Sequence, residues 1–567
     1  MLQTMQSRNG TMLNYNGNIN IESNRSILEH LANEMIYEIF EFLDYYDVYN
    51  GFCSLNQRFQ YLVLYSSVPI TINTPAVSKS KFQDYHRNIV IPNKHRINIL
   101  SLSNPFAVDI VLSPPRIILD FVCLETLILD NISMENLKKI FYELMFLPNL
   151  HSLVLNLAEY VQNLNDIFSN IFCLPKLKYG KITYRIRIDQ DLSGVYFSRF
   201  HCSPIETLII NGPFPNDSLN NLLYHFPKLH HLSINYLTAS RVENSETHAT
   251  SLLKHLKYVS LKLYLIAFNK FQQIVQTFFG DIEVLRISTQ YDTAYLDAKR
   301  WEHLITSYMP NLRIFDIHHN GGVQRNQLTY HDLINQFRSS FWIERDWFFA
   351  HQHDWLERLQ SGVFYSTEPY RRKDFTFYWQ LHKQICQSAQ ETNLNSVKHV
   401  FICSTKANKN PANYFPNATE LTIKHCLEKL DDSLVQTLNS IVPLRQLTKL
   451  IIKNFHVKFD QFLDVLYLTP HLHTFKSDFL SLDNIDPSAI RETDTFRHVL
   501  RTNRIKTFEL RHECTLEDIQ LIVDLFRQLN YLNIGMKSKE IRPIIKHQLT
   551  VMIEKENLLD DYSIKLN

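Results

Sequence analysis

The chain has 567 residues, of which 45% are hydrophobic and only 11 are glycine. It is too long for one compact core and too apolar for a disordered protein, so several domains or one long repeat array are expected. Its 58 lysines and arginines almost balance 57 aspartates and glutamates. A protein that neutralises many phosphates shows a clear basic excess, so nucleic acid is not an expected partner.

The eight cysteines are scattered, and none lies at zinc-finger spacing from another. We interpret them as reduced core residues of an intracellular protein, located in the cytoplasm, the nucleus or both. No apolar run reaches the roughly 18 residues of a membrane-spanning helix, and the N-terminus lacks the apolar core of a signal peptide. The composition therefore predicts neither membrane insertion nor secretion.

The first predicted folded element comes after a polar, asparagine-rich segment at residues 1–24, which is interpreted as a flexible tail. Residues 25–66 carry apolar side chains at helical spacing. The first set predicts one helix face: Met35, Ile36, Ile39, Phe40 and Leu43. A second set comes after an acidic turn: Val48, Phe52, Leu55, Phe59 and Leu62. Residues 67–96 are interpreted as a linker or as the N-terminal cap of a repeat region that begins at residue 97.

From residue 97 onward a short unit returns about every 27 residues, with apolar side chains at its first, fourth and sixth positions. The first positions are Ile97, Leu124, Leu150, Leu177, Ile205, Leu229, Leu256, Ile282 and Leu312, and then Val397, Ala418, Leu447, Leu472, Ile505 and Leu529. One strand and one helix at this period are typical of leucine-rich repeats, which stack into a curved parallel sheet backed by helices. An ordinary α/β sheet with coincidental spacing is the alternative interpretation.

The predicted repeats fall into two blocks, residues 97–320 and 397–536, followed by a C-terminal cap helix at 537–567. The middle leucines of four units are expected to be fully buried: Leu127, Leu153, Leu232 and Leu450. Residues 321–396 separate the blocks and contain four of the five tryptophans, at positions 342, 347, 355 and 379. Two aromatic segments there predict two strands. They form an inserted hairpin, eroded repeats or a ligand-binding insertion.

The segment LEHLANEMIYEIFEFLDYYDVYNGFCSLNQRFQYLV resembles the F-box. The residues that fit its pattern are Leu31, Glu34, Ile36, Ile39, Phe40, Leu43, Asp44, Asp47, Val48, Leu55 and Phe59. Ala32 replaces the usual proline, and Arg58 with Phe59 stands where many members carry a tryptophan. Because this segment precedes leucine-rich repeats, the whole chain is similar to the F-box and leucine-rich-repeat protein family.

The resemblance implies a substrate-recruiting adaptor for ubiquitin-dependent degradation. Its F-box is expected to bind a Skp-type linker subunit, and through it a cullin, while the repeats bind a substrate protein. The expected linker-binding residues are Leu31, Glu34, Ile36, Ile39, Phe40, Leu43, Val48, Leu55 and Phe59. So short a helical unit cannot bury all of its apolar residues, which favours a partner groove. The alternatives are packing on the first repeat and, favoured by Ala32, a repeat scaffold without ligase coupling.

The residue after the last apolar position of each unit is expected to point out of the sheet. In early units it is Asp130, Asn156, Asn211 or Asn235. In four late units it is Lys424, Lys453, Asp478 or Arg511, and Lys476 lies two places before that aspartate, which predicts a basic stripe for an acidic or phosphorylated peptide. The predicted substrate-binding residues are Lys424, Lys453, Lys476 and Arg511. A solvated face with chance clustering of charge is the alternative.

No sequence motif supports an enzyme: serine-hydrolase, phosphate-loop and dinucleotide fingerprints are missing. His351 and His353, like His471 and His473, form a His-x-His pair that places both rings on one strand face. Neither pair has a third ligand at matching spacing. We therefore expect no catalytic residues, no metal and no cofactor.

Overall fold

The structure is a computed structural model. It describes residues 27–65, 68–74, 79–103, 105–187, 203–239, 253–321, 333–353, 362–367, 370–377, 394–403, 414–424, 434–481, 487–529 and 531–536. The predictions for the tail at 1–24, for the cap helix at 537–567 and for Trp355 and Trp379 lie outside the described residues. Two compact units are present, Met1–Ile70 and Thr71–Asn567.

The first unit contains a short turn of 3-10 helix, Ile27–His30, and three helices: α1 Asn33–Glu41, α2 Tyr45–Phe52 and α3 Gln57–Leu64. The side chains of Asp44 and Asn56 cap α2 and α3 by accepting bonds from backbone N–H groups. The buried side chains of the unit come from all three helices: Ile36, Tyr45, Val48, Phe52, Phe59, Leu62 and Val63. The unit is thus a small helical module with its own core.

The strands of the protein form two sheets. The strands of the 12-stranded sheet are β1 Ile70–Asn73, β2 Ile97–Leu102, β3 Thr126–Ile132, β4 Ser152–Tyr160, β5 Tyr179–Arg185, β6 Thr207–Pro215, β7 His231–Thr238, β8 Tyr258–Tyr264, β9 Val284–Gln290, β10 Ile314–Asn320, β11 Phe348–His353 and β12 Gly362–Thr367. Those of the 7-stranded sheet are β13 Asp374–Phe377, β14 His399–Cys403, β15 Glu420–Lys424, β16 Lys449–Lys458, β17 Thr474–Ser481, β18 Thr507–Cys514 and β19 Tyr531–Met536.

Helices lie between most successive strands. They are α4 Lys79–Tyr85, α5 Ile91–Asn93, α6 Pro105–Val111, α7 Met134–Leu144, α8 Asn165–Phe172, α9 Ser218–Tyr224, α10 Phe268–Phe278, α11 Ala298–Tyr308, α12 Ser340–Ile343, α13 Leu434–Asn439, α14 Phe459–Leu468, α15 Pro487–Glu492, α16 Asp494–Thr502 and α17 Leu516–Leu525. In α7, Leu137, Ile140, Phe141 and Leu144 form the buried stripe. Each helix of this kind covers apolar side chains that its own strand cannot bury alone.

The repeat register predicted from the sequence is confirmed. Every first position of a unit is buried, and so are the four middle leucines, Leu127, Leu153, Leu232 and Leu450. From β3 to β10 the neighbouring strands pair in parallel. The same holds from β13 to β19. The fold is therefore mixed α/β with a large parallel sheet, as expected of a leucine-rich-repeat array.

An aromatic hairpin ends the first sheet. β11 and β12 are the two strands predicted in the segment between the blocks, and β12 pairs antiparallel with both β10 and β11. The rings of Phe315, Phe337 and Phe364 pack in its core with Trp342 and Phe349. Residues 321–396 thus contain an inserted hairpin and, with β13, the first strand of the second sheet.

Candidate functional site

Helix α1 carries two apolar stripes on different faces. On one, Ile36 is buried, and the ring of Phe40 packs on that of Phe52 with centroids 5.0 Å apart. On the other, Met35 is 48% exposed and Phe42, just after the last helical residue, is 89% exposed. Since an α-helix repeats every 3.6 residues, positions 35, 39 and 42 align. This outward stripe, Met35–Ile39–Phe42, is the first candidate site.

The structure divides the nine predicted linker-binding residues into three groups. Ile36, Val48 and Phe59 are buried inside the module, so they stabilise its fold instead of facing a partner. Leu31, Ile39, Phe40 and Leu43 are partly exposed, whereas Glu34 and Leu55 are exposed. The sequence prediction placed all apolar residues of α1 on one face and missed Phe42. Its position seven residues after Met35 is the signal that would have found it.

Arg58 holds the start of α1 against α3. Its guanidinium donates bonds of 2.6 Å to the carbonyl oxygen of Glu29 and 2.5 Å to that of Leu31. It also donates to Oδ1 of Asn33, at 2.7 and 3.0 Å. A planar guanidinium can make several such bonds at once. Arg58 therefore connects α3 to the start of α1. It lies at one of the positions where the sequence departs from the F-box pattern.

The open face of the first sheet, which carries the residues that alternate with the buried ones, has a polar ladder in the early repeats. Asn156 donates to Oδ1 of Asp130. Asn211 donates to Oγ1 of Thr183 at 3.3 Å, and Asn235 donates to Oδ1 of Asn211 at 2.6 Å. These side chains form hydrogen bonds with one another across neighbouring strands, so their first role is to stabilise the pairing of those strands.

Two of the four cations in the predicted basic stripe of the second sheet are neutralised. Lys476 pairs with Glu509 at 2.7 Å, and Arg511 lies 3.4 Å from Oδ1 of Asp478. Lys424 and Lys453 are opposite each other on β15 and β16, and neither forms an ion pair within the described residues. The stripe of four free cations is thus reduced to a pair, because neighbouring strands supply acidic partners.

A charged cluster, which sequence reasoning missed, lies on β9, β10 and the segment before β13. Asp316 is buried on β10, and its Oδ1 accepts a bond of 2.9 Å from Nε of Arg372. Arg372 also donates to Oγ of Ser288, to the carbonyl oxygen of Ile287 at 2.8 Å and to that of Asp316 at 3.0 Å. Arg372 thereby attaches the start of the second sheet to the first.

Two more arginines lie near the same aspartate. Nε of Arg286, on β9, is 3.8 Å from Oδ2 of Asp316, which is longer than a hydrogen bond. Burial lowers the pKa of Arg371, which lies within electrostatic range of Asp316 and Arg286. We call Arg286, Arg371 and Arg372 the arginine cluster. Three cations around one carboxylate leave an excess of positive charge.

Aromatic side chains extend this surface across β7 and β8. The guanidinium of Arg286 lies over the ring of Tyr258, with its carbon 5.5 Å from the centroid. The ring of His231, on β7, stacks on the same tyrosine ring at 4.0 Å and 12°. Burial, and then the charge of Arg286, lowers the pKa of His231. The surface therefore combines cations with flat rings.

The described ranges contain no group of three or more His, Cys, Asp or Glu side chains that could hold a metal ion. Every helix among them is too short or too polar to cross a bilayer.

No protein-family model matches the chain, and no curated protein matches it. A solved leucine-rich-repeat protein of Leptospira interrogans is similar to it, with 13% identity and a TM-score of 0.26. That similarity covers 82% of this chain and 96% of the other. The leucine-rich-repeat character of the fold follows from its own strands and helices.

Proposed function

We propose that the chain is a non-enzymatic adaptor that recruits a substrate protein to a cullin-RING ubiquitin ligase. Its N-terminal helical module binds a Skp-type linker subunit, and its repeats bind the substrate. The observation that carries the proposal is the outward stripe of α1, where Met35 and Phe42 are exposed on a module with a complete core. Exposed apolar groups at i, i+4 and i+7 are what a partner groove binds.

The strength of the expected contact follows from the size of the exposed group. Phe42 is 89% exposed, so nearly all of its ring is available to a partner. Removing a buried aromatic anchor from an interface costs about 2 kcal/mol or more. The buried side chains of Ile36, Val48 and Phe59 support the outward stripe by packing in the core of the module. The partly exposed Leu31, Ile39 and Leu43 extend the same surface.

Phe42→Ala tests the proposal in the full chain, with binding to a purified Skp-type linker subunit measured by calorimetry. We expect affinity to fall by about thirtyfold or more, since 2 kcal/mol corresponds to that factor. Because Phe42 contributes little to the core, the melting temperature should not change. Phe146→Ala is the matched control, since Phe146 is 57% exposed but belongs to the second unit.

Two outcomes count against the proposal: equal linker binding by the wild type and by Phe42→Ala, or no linker binding by the wild type. The second outcome favours the other candidate function, a repeat scaffold without ligase coupling. One observation points that way, because Ala32, at the N-cap of α1, stands where the F-box pattern has proline. A scaffold would still bind its protein partner through the repeats.

A further inference from the structure

We propose that the arginine cluster, together with Tyr258, docks a negatively charged stretch of extended polypeptide. In an adaptor this stretch is part of the substrate, so the inference rests on the proposed function for the partner's role. The chemistry recognised is a carboxylate or phosphate group on a peptide. The site lies on the open face of β8–β10, apart from the predicted basic stripe of the second sheet.

The first argument is that two of the three arginines retain binding capacity. Arg372 uses Nε, Nη1 and Nη2 on protein groups. Arg286 comes no closer than 3.8 Å to Asp316 and is 31% exposed along its side chain. Within the described residues Arg371 makes neither a hydrogen bond nor an ion pair. An incoming anion can therefore accept charge-assisted bonds from Arg286 and Arg371 without displacing a hydrogen-bonded carboxylate.

The second argument is the charge balance of the surface. Lys262 on β8 joins the three arginines, because its charge and that of Arg372 both act on His318. The facing carboxylates among the described residues are Asp316 and Asp374, and Oδ1 of Asp374 lies 3.5 Å from Nδ1 of His399. His318 itself is neutral at physiological pH, since burial above all lowers its pKa. Within the described part of the chain four cations thus face two carboxylates, and this balance of charge favours an anion.

The third argument is the geometry, which fits an extended chain. Tyr258, Arg286 and Asp316 lie on adjacent strands: the register pairs Arg286 with Asp316, and it pairs Tyr258 with Val284, two residues before Arg286. His231 adds a fourth strand through its stacking on Tyr258. Neighbouring strands are about 4.8 Å apart, so β7 to β10 span about 14 Å, the length of about four extended residues. One or two acidic residues and a neighbouring side chain over Tyr258 match that span.

The test measures binding of fluorescein-labelled peptides to the full chain by anisotropy. One peptide is octaglutamate, a second is a glycine-serine peptide with one phosphoserine, and octaglutamine is the neutral reference. We expect an anionic peptide to bind and its affinity to fall between about 0.05 and 0.3 M salt, as screening requires. Arg286→Gln with Arg371→Gln should weaken it at least about tenfold, because two charge-assisted bonds are lost.

The matched control is Lys270→Gln with Lys299→Gln. These exposed lysines lie on α10 and α11, in the repeats that flank β9, so the net charge changes equally but on the helical side. Binding by this control should stay within about twofold of wild type. Arg371→Gln alone provides a variant that breaks no hydrogen bond or ion pair among the described residues. Preference for glutamate or for phosphoserine identifies the source of the anion.

Three results would overturn the inference: binding of neither anionic peptide, equal loss in the arginine and lysine variants, or loss in Lys424→Gln with Lys453→Gln but not in the arginine pair. The last result would place the peptide-binding site on the second sheet. Linker binding is measured on the same samples. A chain that binds peptide but no linker contradicts only the proposed function, and a chain that binds linker but no peptide contradicts only this inference.

Discussion

His318 and His319 are neighbours near the end of β10, and burial keeps both imidazoles neutral. Burial and then the charge of Arg372 lower the pKa of His318 to about 3. Burial lowers the pKa of His319 to about 4. Nδ1 of His319 lies in a hydrogen bond of 2.8 Å with Oγ1 of Thr289. Because the protonated form of either ring is disfavoured in the folded state, the pair makes stability depend on pH.

His319→Gln should make the protein less sensitive to acid. The unfolded imidazole binds a proton below its ordinary pKa of 6.5, whereas the folded one does so only near pH 4. The unfolded state therefore binds more protons in this window, and stability is present above pH 6.5 and lost as pH falls towards 4. The loss is up to about 1.4 kcal/mol per pH unit. The melting temperatures of wild type and variant should converge as the pH falls. Parallel plots of melting temperature against pH would contradict a lowered pKa of His319 in the folded state.

Residue-level predictions from the sequence were correct for side-chain direction and incomplete for charge. The alternation along a strand places Lys476 and Arg511 on the open face, as predicted. The acids that neutralise them, Glu509 and Asp478, also point to that face. Periodicity predicts which way a residue points. Which cation remains unpaired depends on distances between side chains of different strands, and these require coordinates.

At the scale of elements, the repeat units were predictable because burial of the first, fourth and sixth positions is what makes a unit stack. The two faces of α1 were not, since an apolar residue has the same pattern whether it faces the core or a partner. Ile36 is buried and Met35, its neighbour, is 48% exposed. The hairpin of β11 and β12 was recognisable as two strands. Its antiparallel pairing with β10 depends on a chain reversal that has no periodic signal.

Leu232→Ala should destabilise the repeat array strongly. Leu232 is buried on β7 at the middle position of its unit, with parallel neighbours Leu208 and Val259 on either side. Deleting such a side chain leaves a cavity and costs about 2–5 kcal/mol. Leu265→Ala, at a site 58% exposed, should cost no more than about 0.5 kcal/mol. Chemical denaturation measures both, and equal costs would show that Leu232 does not pack in the repeat core.

At the scale of the whole molecule, the array of parallel strands in the second compact unit, Thr71–Asn567, is interrupted. The first sheet ends at the hairpin, with β11 at its edge, and the second begins at β13. The sequence period indicated two blocks but not the contacts that connect them. Arg372 bonds to β9 and β10, and the ring of Tyr365 on β12 packs on that of Phe375 on β13 with centroids 5.7 Å apart. Both contacts involve a side chain from the segment between the two repeat blocks, so no spacing in the sequence predicts them.

Arg372→Met should separate the unfolding of the two sheets. The change removes the bonds that attach the segment before β13 to the first sheet, and it leaves Asp316 buried without its nearest cation. Breaking a buried pair in this way costs about 3–5 kcal/mol. Since repeat arrays are stabilised by interfaces between neighbours, amide hydrogen exchange should accelerate in β13–β15 and change little in β3–β6. Adding Asp316→Asn should recover part of the stability, because it removes the unpaired charge. Uniform acceleration across both sheets would instead mean that they unfold as one cooperative body, with Arg372 contributing to a shared core.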